Sequence, residues 1–192
     1  KILRPADTPF SKGGWGDLTL YDIATNKEIP YQLEDVTIAH SAIDKAGFDH
    51  YMLKEIYESP FVIEQLLKQD EKPYLELAQV IKQAKNVYTI GSGGGGVAAS
   101  QVAFYLRHFG KIKAVSLIGA DAAEYTDLFG NDDLILTISQ SGETADVLEV
   151  LEKAQAKGVK IASFVNMPGS MITRMSDYKF MAEAGPEICV MS

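Results

Sequence analysis

The segment Ser139-Gln140-Ser141-Gly142-Glu143-Thr144 gathers three hydroxyls and one amide side chain around a single glycine. It lies between an apolar run, Leu134 to Ile138, and a stretch of helical periodicity, Ala145 to Ala156. Hydroxyls at the positive end of a helix, beside amides that lack an intrahelical partner, can hold a phosphate dianion without Lys or Arg. The plainer reading is capping, with Ser or Thr satisfying the first helical amides and Glu143 complementing the dipole. One hydroxyl suffices for a cap, so the cluster favours an anion site. A second loop, Gly91-Ser92-Gly93-Gly94-Gly95-Gly96, brings backbone close to a ligand and aims amides from the start of a helix. It matches G-x-G-x-x-G, but a dinucleotide site also wants an acidic residue about 20 residues further on. Asp121, just past Gly119, lies late for that role. The alternative for this loop is a tight strand-to-helix turn and nothing more.

Other reactive side chains are scattered. His40, His50 and His108 are too dispersed to form a triad or a metal set, and each is expected on the surface or in helix packing. Asp132 and Asp133 read as solvated turn residues, and Phe104 with Tyr105 as helix-borne core. The single cysteine, Cys189, excludes an intrachain disulfide or multi-thiolate metal site and is expected to be a buried small hydrophobe. Neither a metal nor a cofactor is expected.

The elements that must position these loops follow from the apolar periods. Leu18–Ile23 and Glu28–Tyr31, joined by the polar turn Ala24-Thr25-Asn26-Lys27, read as a hairpin, with extended chain over Gln32–His40 and a polar linker over Ser41–Asp49. From His50 the period becomes helical, through Met52, Ile56, Phe61, Ile63, Leu66 and Leu67, then Leu75, Leu77, Val80 and Ile81. Strands are then predicted at Val87–Ile90, Ala114–Ile118, Leu134–Ile138, Ile161–Val165 and Tyr178–Ala182, with helices at Val97–Phe109 and Ala145–Ala156. Short connections between alternating strands and helices imply an α/β fold with a doubly wound parallel sheet. Its ligand sits beyond the carboxyl ends of the strands. A short β-rich N-terminal extension, residues 1–46, precedes this domain, residues 47–192.

Composition narrows the function. A chain of 192 residues with 46% apolar content can bury a real core. A net charge of −8 disfavours broad nucleic-acid binding. There is no apolar run long enough to span a bilayer and no leader pattern, so a cytoplasmic, membrane-free protein is expected. The chain opens on Lys1 in mid-pattern, as a piece of a longer chain or a processed one would.

The hydroxyl loop, continued as Ser139 to Asp146, resembles the phosphate-loop signature of the SIS (sugar isomerase) domain in the glucosamine-6-phosphate synthase family. His50-Tyr51-Met52-Leu53-Lys54-Glu55-Ile56 resembles the helix that opens the isomerase half of that family. Asn166-Met167-Pro168-Gly169-Ser170 resembles its loop after the fourth strand, and Ala184 to Ser192 its next ligand-facing segment. The likeness runs from about residue 48 to the end, and residues 1–46 resemble, more weakly, the last hairpin and linker of the glutaminase half. The resemblance implies a flavodoxin-like sheet. It makes Ser139, Gln140, Ser141 and Thr144 the phosphate binders, places Ser92 beside the sugar, and has Val190 and Ser192 contact it. Glu187 matches a family carboxylate, for which a sugar-site role and a surface ion pair stand as equal alternatives.

The sequence departs from the family at Ile90-Gly91-Ser92-Gly93, where Cys-Gly-Thr-Ser is usual, and again at Pro186 and Met191. One hydroxyl is thus kept at Ser92 and the next lost at Gly93, with a consequence for affinity or sugar specificity. The family's reaction makes glucosamine 6-phosphate from fructose 6-phosphate and glutamine. Its proton-transfer residues belong to a second SIS lobe and C-terminal tail, so no catalytic residue is assigned in this chain. The expected partners are fructose 6-phosphate or glucosamine 6-phosphate, a second copy in a homodimer, and a second SIS lobe with a glutaminase domain. The competing readings are a non-catalytic sugar-phosphate sensor and, behind it, a dinucleotide-binding oxidoreductase domain.

Overall fold

The computed structural model describes residues 2–5, 20–30, 33–36 and 44–189. It divides into two compact units, Lys1–Gly47 and Phe48–Ser192.

In the larger unit, strand β5 (Val87–Gly91) is buried at every position, as the run Val-Tyr-Thr-Ile-Gly requires of a central strand covered on both faces. It pairs in parallel with β6 (Ala114–Ile118) on one side and β7 (Leu134–Ser139) on the other. Strands β8 (Lys160–Val165) and β9 (Tyr178–Met181) extend the sheet beyond β7, giving the all-parallel order β6-β5-β7-β8-β9. The predicted doubly wound sheet is the one found. Because the chain winds outward from β5 to β6 and then returns across to β7, the loops leaving β5 and β7 diverge. The crevice between them is the topological switch point, where ligands of open α/β sheets bind.

Side-chain parity builds the two halves of the core. Tyr88, Ile90, Ile135, Ile161 and Val165 face α5 (Ala145–Ala156) and the short α6 (Met171–Met175), packing on Val147, Val150, Leu151 and Ile172. The alternate residues Val87, Leu134, Leu136 and Ala162 face the other way, toward Ala103 of α3 (Gly93–His108) and Leu77 of α2 (Lys72–Gln83). On this face Thr89 Oγ1 donates to the Ala99 carbonyl at 2.8 Å, so a fully buried hydroxyl is satisfied where α3 crosses the sheet. A short helix α4 (Gly119–Ala122) and a 3₁₀ turn (Ala123–Leu128) fill the connection from β6 to β7. Neither these nor α6 was foreseen, since each is too short to show a helical period.

The glycine run is not a loop ahead of a helix beginning at Val97. It is the first turn of α3 itself. A Cβ on Gly95 would stand 2.7 Å from the Ile138 carbonyl oxygen, so only glycine lets α3 come this close to β7.

Several expectations are corrected. Asp133 is buried rather than solvated: it accepts from Asn86 Nδ2 at 2.8 Å and from the Gly130 amide at 2.9 Å, joining the beginnings of β5 and β7. Phe104 and Tyr105 are not core but half exposed, with the His108 ring stacked on Phe104 at 5.3 Å. Cys189 is only partly buried and is hydrogen-bonded through its thiol.

Helix α1 (Tyr51–Leu66) has an unusual burial pattern. Its buried residues are the charged pair Lys54 and Glu55, whereas Met52, Ile56, Phe61 and Ile63 of its predicted apolar face are exposed.

In the smaller unit β1 (Ile2–Pro5) pairs in parallel with β4 (Leu33–Val36), and β2 (Leu20–Tyr21) pairs antiparallel with β3 (Glu28–Ile29). Among the described residues the strands stop at Tyr21 and Ile29, short of the predicted Ile23 and Pro30, and Leu18, Thr19 and Tyr31 of the predicted hairpin lie outside them. The Asp22 carboxylate accepts from the Thr25 amide at 2.7 Å and its hydroxyl at 2.9 Å, which stabilises the turn and holds its pKa below the usual range. Asn26 takes the left-handed position with φ 51°. Most of the predicted extended chain over 32–40, His40 included, lies outside the described residues.

Candidate functional site

A cleft of about 860 Å³ opens at the carboxyl end of the sheet. Its floor is Gly94, Gly95 and Ala98 of α3 with Ile138, Ser139 and Gln140 at the end of β7. One side wall is Glu55, Glu58, Ser59 and Val62 of α1 with Gln69 and Tyr74. A further wall is Asn166 and the segment Ala184–Glu187. No Lys, Arg or His stands among these lining residues.

The β7–α5 loop is ordered by its own hydroxyls. Ser139 Oγ accepts from the Gly142 amide at 3.0 Å and lies 3.0 Å from Thr144 Oγ1. Ser141 Oγ accepts from the Glu143 amide at 3.2 Å. Glu143 reaches across to accept from the Met171 amide at 2.9 Å, pinning the loop to α6. Gly142 sits at φ +67° with the Ser170 side chain against the space a Cβ would fill, so the turn is specific for glycine. Thr144, the residue preceding α5, makes no side-chain cap to that helix. The hydroxyls therefore shape the loop instead of capping α5, whose first amides keep their capacity to bind an anion.

The structure brings Ser139, Gln140 and Glu187 to the cleft and joins Thr144 to it through Ser139. Ser141 is exposed and does not line the cleft. Ser92 is apart from the lining: its Oγ is buried against Gly119 without a hydrogen-bond partner. Val190 and Ser192 lie outside the described residues. Asp121, which the dinucleotide reading would use, is exposed on α4 and does not line the cleft.

Sequence reasoning missed the residues that hold the side walls. Asn166 Nδ2 donates to the Gly185 carbonyl at 2.6 Å, while its Oδ1 accepts from the Ala184 amide at 2.8 Å. Gln69 Nε2 donates to the Met181 carbonyl at 3.1 Å and its Oε1 accepts from the Tyr74 hydroxyl at 2.6 Å. Burial, with the negative charge of Glu183, raises the Tyr74 phenol above its ordinary value. Glu55 accepts from the Ile188 amide at 2.8 Å, the Cys189 amide at 3.3 Å and the Cys189 thiol at 2.6 Å. Burial acts to raise the Glu55 carboxyl. The thiol and amide hydrogen bonds, with Lys54 beside it, outweigh burial and leave its pKa lowered. The same carboxylate, aided by burial and by Glu187, pushes the Cys189 thiol up to about 11. Lys54 in turn pairs with Glu58 at 3.0 Å. The one available signal was the charged pair Lys54-Glu55 inside the quoted helix motif, at positions that periodicity assigns to no face.

A five-stranded parallel sheet of this order, with helices on both faces and a cleft at its switch point, defines a doubly wound α/β domain. Residues 80–192 match the SIS domain family, and the chain belongs to it. It is 37% identical over 191 residues to the isomerizing glutamine–fructose-6-phosphate aminotransferase of Pyrobaculum aerophilum, covering 99% of this chain and 32% of that protein. The corresponding enzyme of Pyrococcus horikoshii is 31% identical over 173 residues, covering 90% of this chain and 29% of that protein. The C-terminal domain of glucosamine-fructose-6-phosphate aminotransferase from Francisella tularensis superposes with a TM-score of 0.67 at 32% identity, over 78% of this chain and 44% of that one. The chain thus spans about a third of the length of these curated relatives. Among the described residues no helix is long and apolar enough to cross a membrane.

Proposed function

We propose that this chain is the first sugar-phosphate-binding lobe of a glucosamine-6-phosphate synthase, the enzyme that converts fructose 6-phosphate and glutamine to glucosamine 6-phosphate. The observation that carries this reading is the cleft floor, where Ser139 and Gln140 stand beside the uncapped start of α5 and no cation lines the walls. Neutral donors and a helix dipole then bind the phosphate, and the polar side walls take the sugar hydroxyls. Ser139, Gln140, Ser141 and Thr144 are assigned to the phosphate, Glu187 to the sugar. Ser92, Val190 and Ser192 complete the set carried over from the family. The similarity to the aminotransferases supports the substrate class. Residues 1–46 are read as the end of a preceding glutaminase domain, and the working form as a cytoplasmic dimer completed by a second lobe.

Calorimetric titration with fructose 6-phosphate and glucosamine 6-phosphate tests the reading. Saturable binding to the wild-type chain, lost in the Ser139→Ala/Ser141→Ala double variant, is expected. Binding of a nicotinamide cofactor in place of either sugar would overturn it, and glucosamine 6-phosphate formation by the chain alone would overturn the restriction to binding.

A further inference from the structure

Two walls of the cleft, α1 and Ala184–Glu187, come from segments far apart in the chain. Glu55 joins α1 to residues 188–189, which directly follow the second wall. Glu55 spends one carboxylate oxygen on two successive backbone amides, those of Ile188 and Cys189, and the other on the Cys189 thiol. The helix leaves Ile56, Tyr57 and Phe61 exposed and turns Glu55, only 8% exposed, toward the cleft wall. A carboxylate is buried at such a position only when its oxygens are met by donors, and here each of them is. Glu187, the residue immediately before the tied amides, lines the cleft.

We infer that Glu55 is a positioning residue for the cleft, holding residues 188–189 against α1 and so fixing where the Glu187 carboxylate meets the sugar. This rests on the sugar-phosphate reading above and adds a residue that reading does not assign. Glu55 does not need to touch the ligand, because its oxygens are already engaged. Two successive amides on one carboxylate oxygen fix the direction of the backbone as well as its position, which a single hydrogen bond would not. Removing the tie shifts part of the cost of ordering residues 188–189 onto ligand binding.

Because Cys189 is the sole cysteine, its alkylation rate reports the tie directly. The experiment compares wild type, Glu55→Ala and Glu55→Gln in two measurements: iodoacetamide labelling at pH 8, and calorimetric titration with glucosamine 6-phosphate and fructose 6-phosphate. Circular dichroism checks that the sheet stays folded. In Glu55→Ala, labelling accelerates by at least about tenfold as the thiol returns toward its ordinary acidity. Sugar-phosphate affinity falls by about tenfold, the cost expected for charge-assisted hydrogen bonds that order the wall. Glu55→Gln keeps an acceptor for the two amides but not the charge, so it labels fast yet binds within about threefold of wild type. Labelling of Glu55→Ala at the wild-type rate would overturn the tie. Fast labelling with unchanged affinity would overturn the positioning role. A wild-type chain that binds neither sugar overturns the reading of the cleft instead, and the labelling rates then decide the tie on their own.

Discussion

The two sides of the cleft are built on opposite plans. The hydroxyls of the floor at Ser139–Thr144 are local: their hydrogen bonds close between residues two to five apart, while Glu143 ties the loop to α6, and its shape depends on a glycine with φ +67° and on a buried serine. The far wall is non-local, with Glu55 reaching residues more than 130 positions away and Asn166 reaching 18 and 19 positions on. A local loop is specified as soon as its strand and helix form. A non-local wall exists only after the whole domain has folded, and it can be loosened without unfolding the sheet. On the proposed function, the local loop holds the phosphate while the separately tethered wall selects the sugar.

The largest effect expected from this contrast is on the floor. Gly142→Ala forces a Cβ into the Ser170 side chain at a left-handed backbone position, for a loss of about 3 kcal/mol in chemical denaturation together with loss of sugar-phosphate binding. A variant of wild-type stability would show that the loop can be rebuilt, and would end the claim that it is rigid.

Ser139→Ala removes the acceptor of a buried amide and should cost about 1–3 kcal/mol, measured in the same way. If binding fell while stability did not, the Ser139 hydroxyl would serve the ligand more than the loop, which would sharpen the division between the two sides.

The far wall should respond to pH where the floor does not. Glu55 is faced by the Cys189 thiol, the amides of 188 and 189 and neighbouring Lys54, with Glu58 and Glu187 nearby. Its folded pKa lies below the unfolded one, so its contribution is complete above the ordinary glutamate value of about 4.3 and is lost as pH falls through the lowered folded value. Hydrogen exchange at residues 184–189 should therefore rise in that acid window ahead of exchange in β5 and β7. Simultaneous loss of protection would mean that the wall and the sheet are one cooperative unit.

The smallest effect has the opposite sign. Thr137, two residues before Ser139 on the same face of β7, buries a hydroxyl without a hydrogen-bond partner, as does Ser163 opposite it on β8. Thr137→Val should leave stability unchanged or raise it by up to about 1 kcal/mol. A loss in thermal unfolding would show that this hydroxyl, like that of Ser139, has a task.

The sequence by itself determined the alternation of strands and helices, the position of the hydroxyl loop between β7 and α5, and through that loop the family. Those features are written in contiguous residues: apolar runs of strand length, helical periods, and a cluster whose partners lie within one turn. Only the tertiary structure decided that the glycine run is the first turn of α3 packed on Ile138, and that Asp133 is buried. It also decided that α1 turns Glu55 inward and leaves its apolar face outward. Each of these depends on a neighbour brought up by the fold from elsewhere in the chain. Burial of a charge is settled by whether donors meet it in space, and the donors for Glu55 come from the other end of the domain.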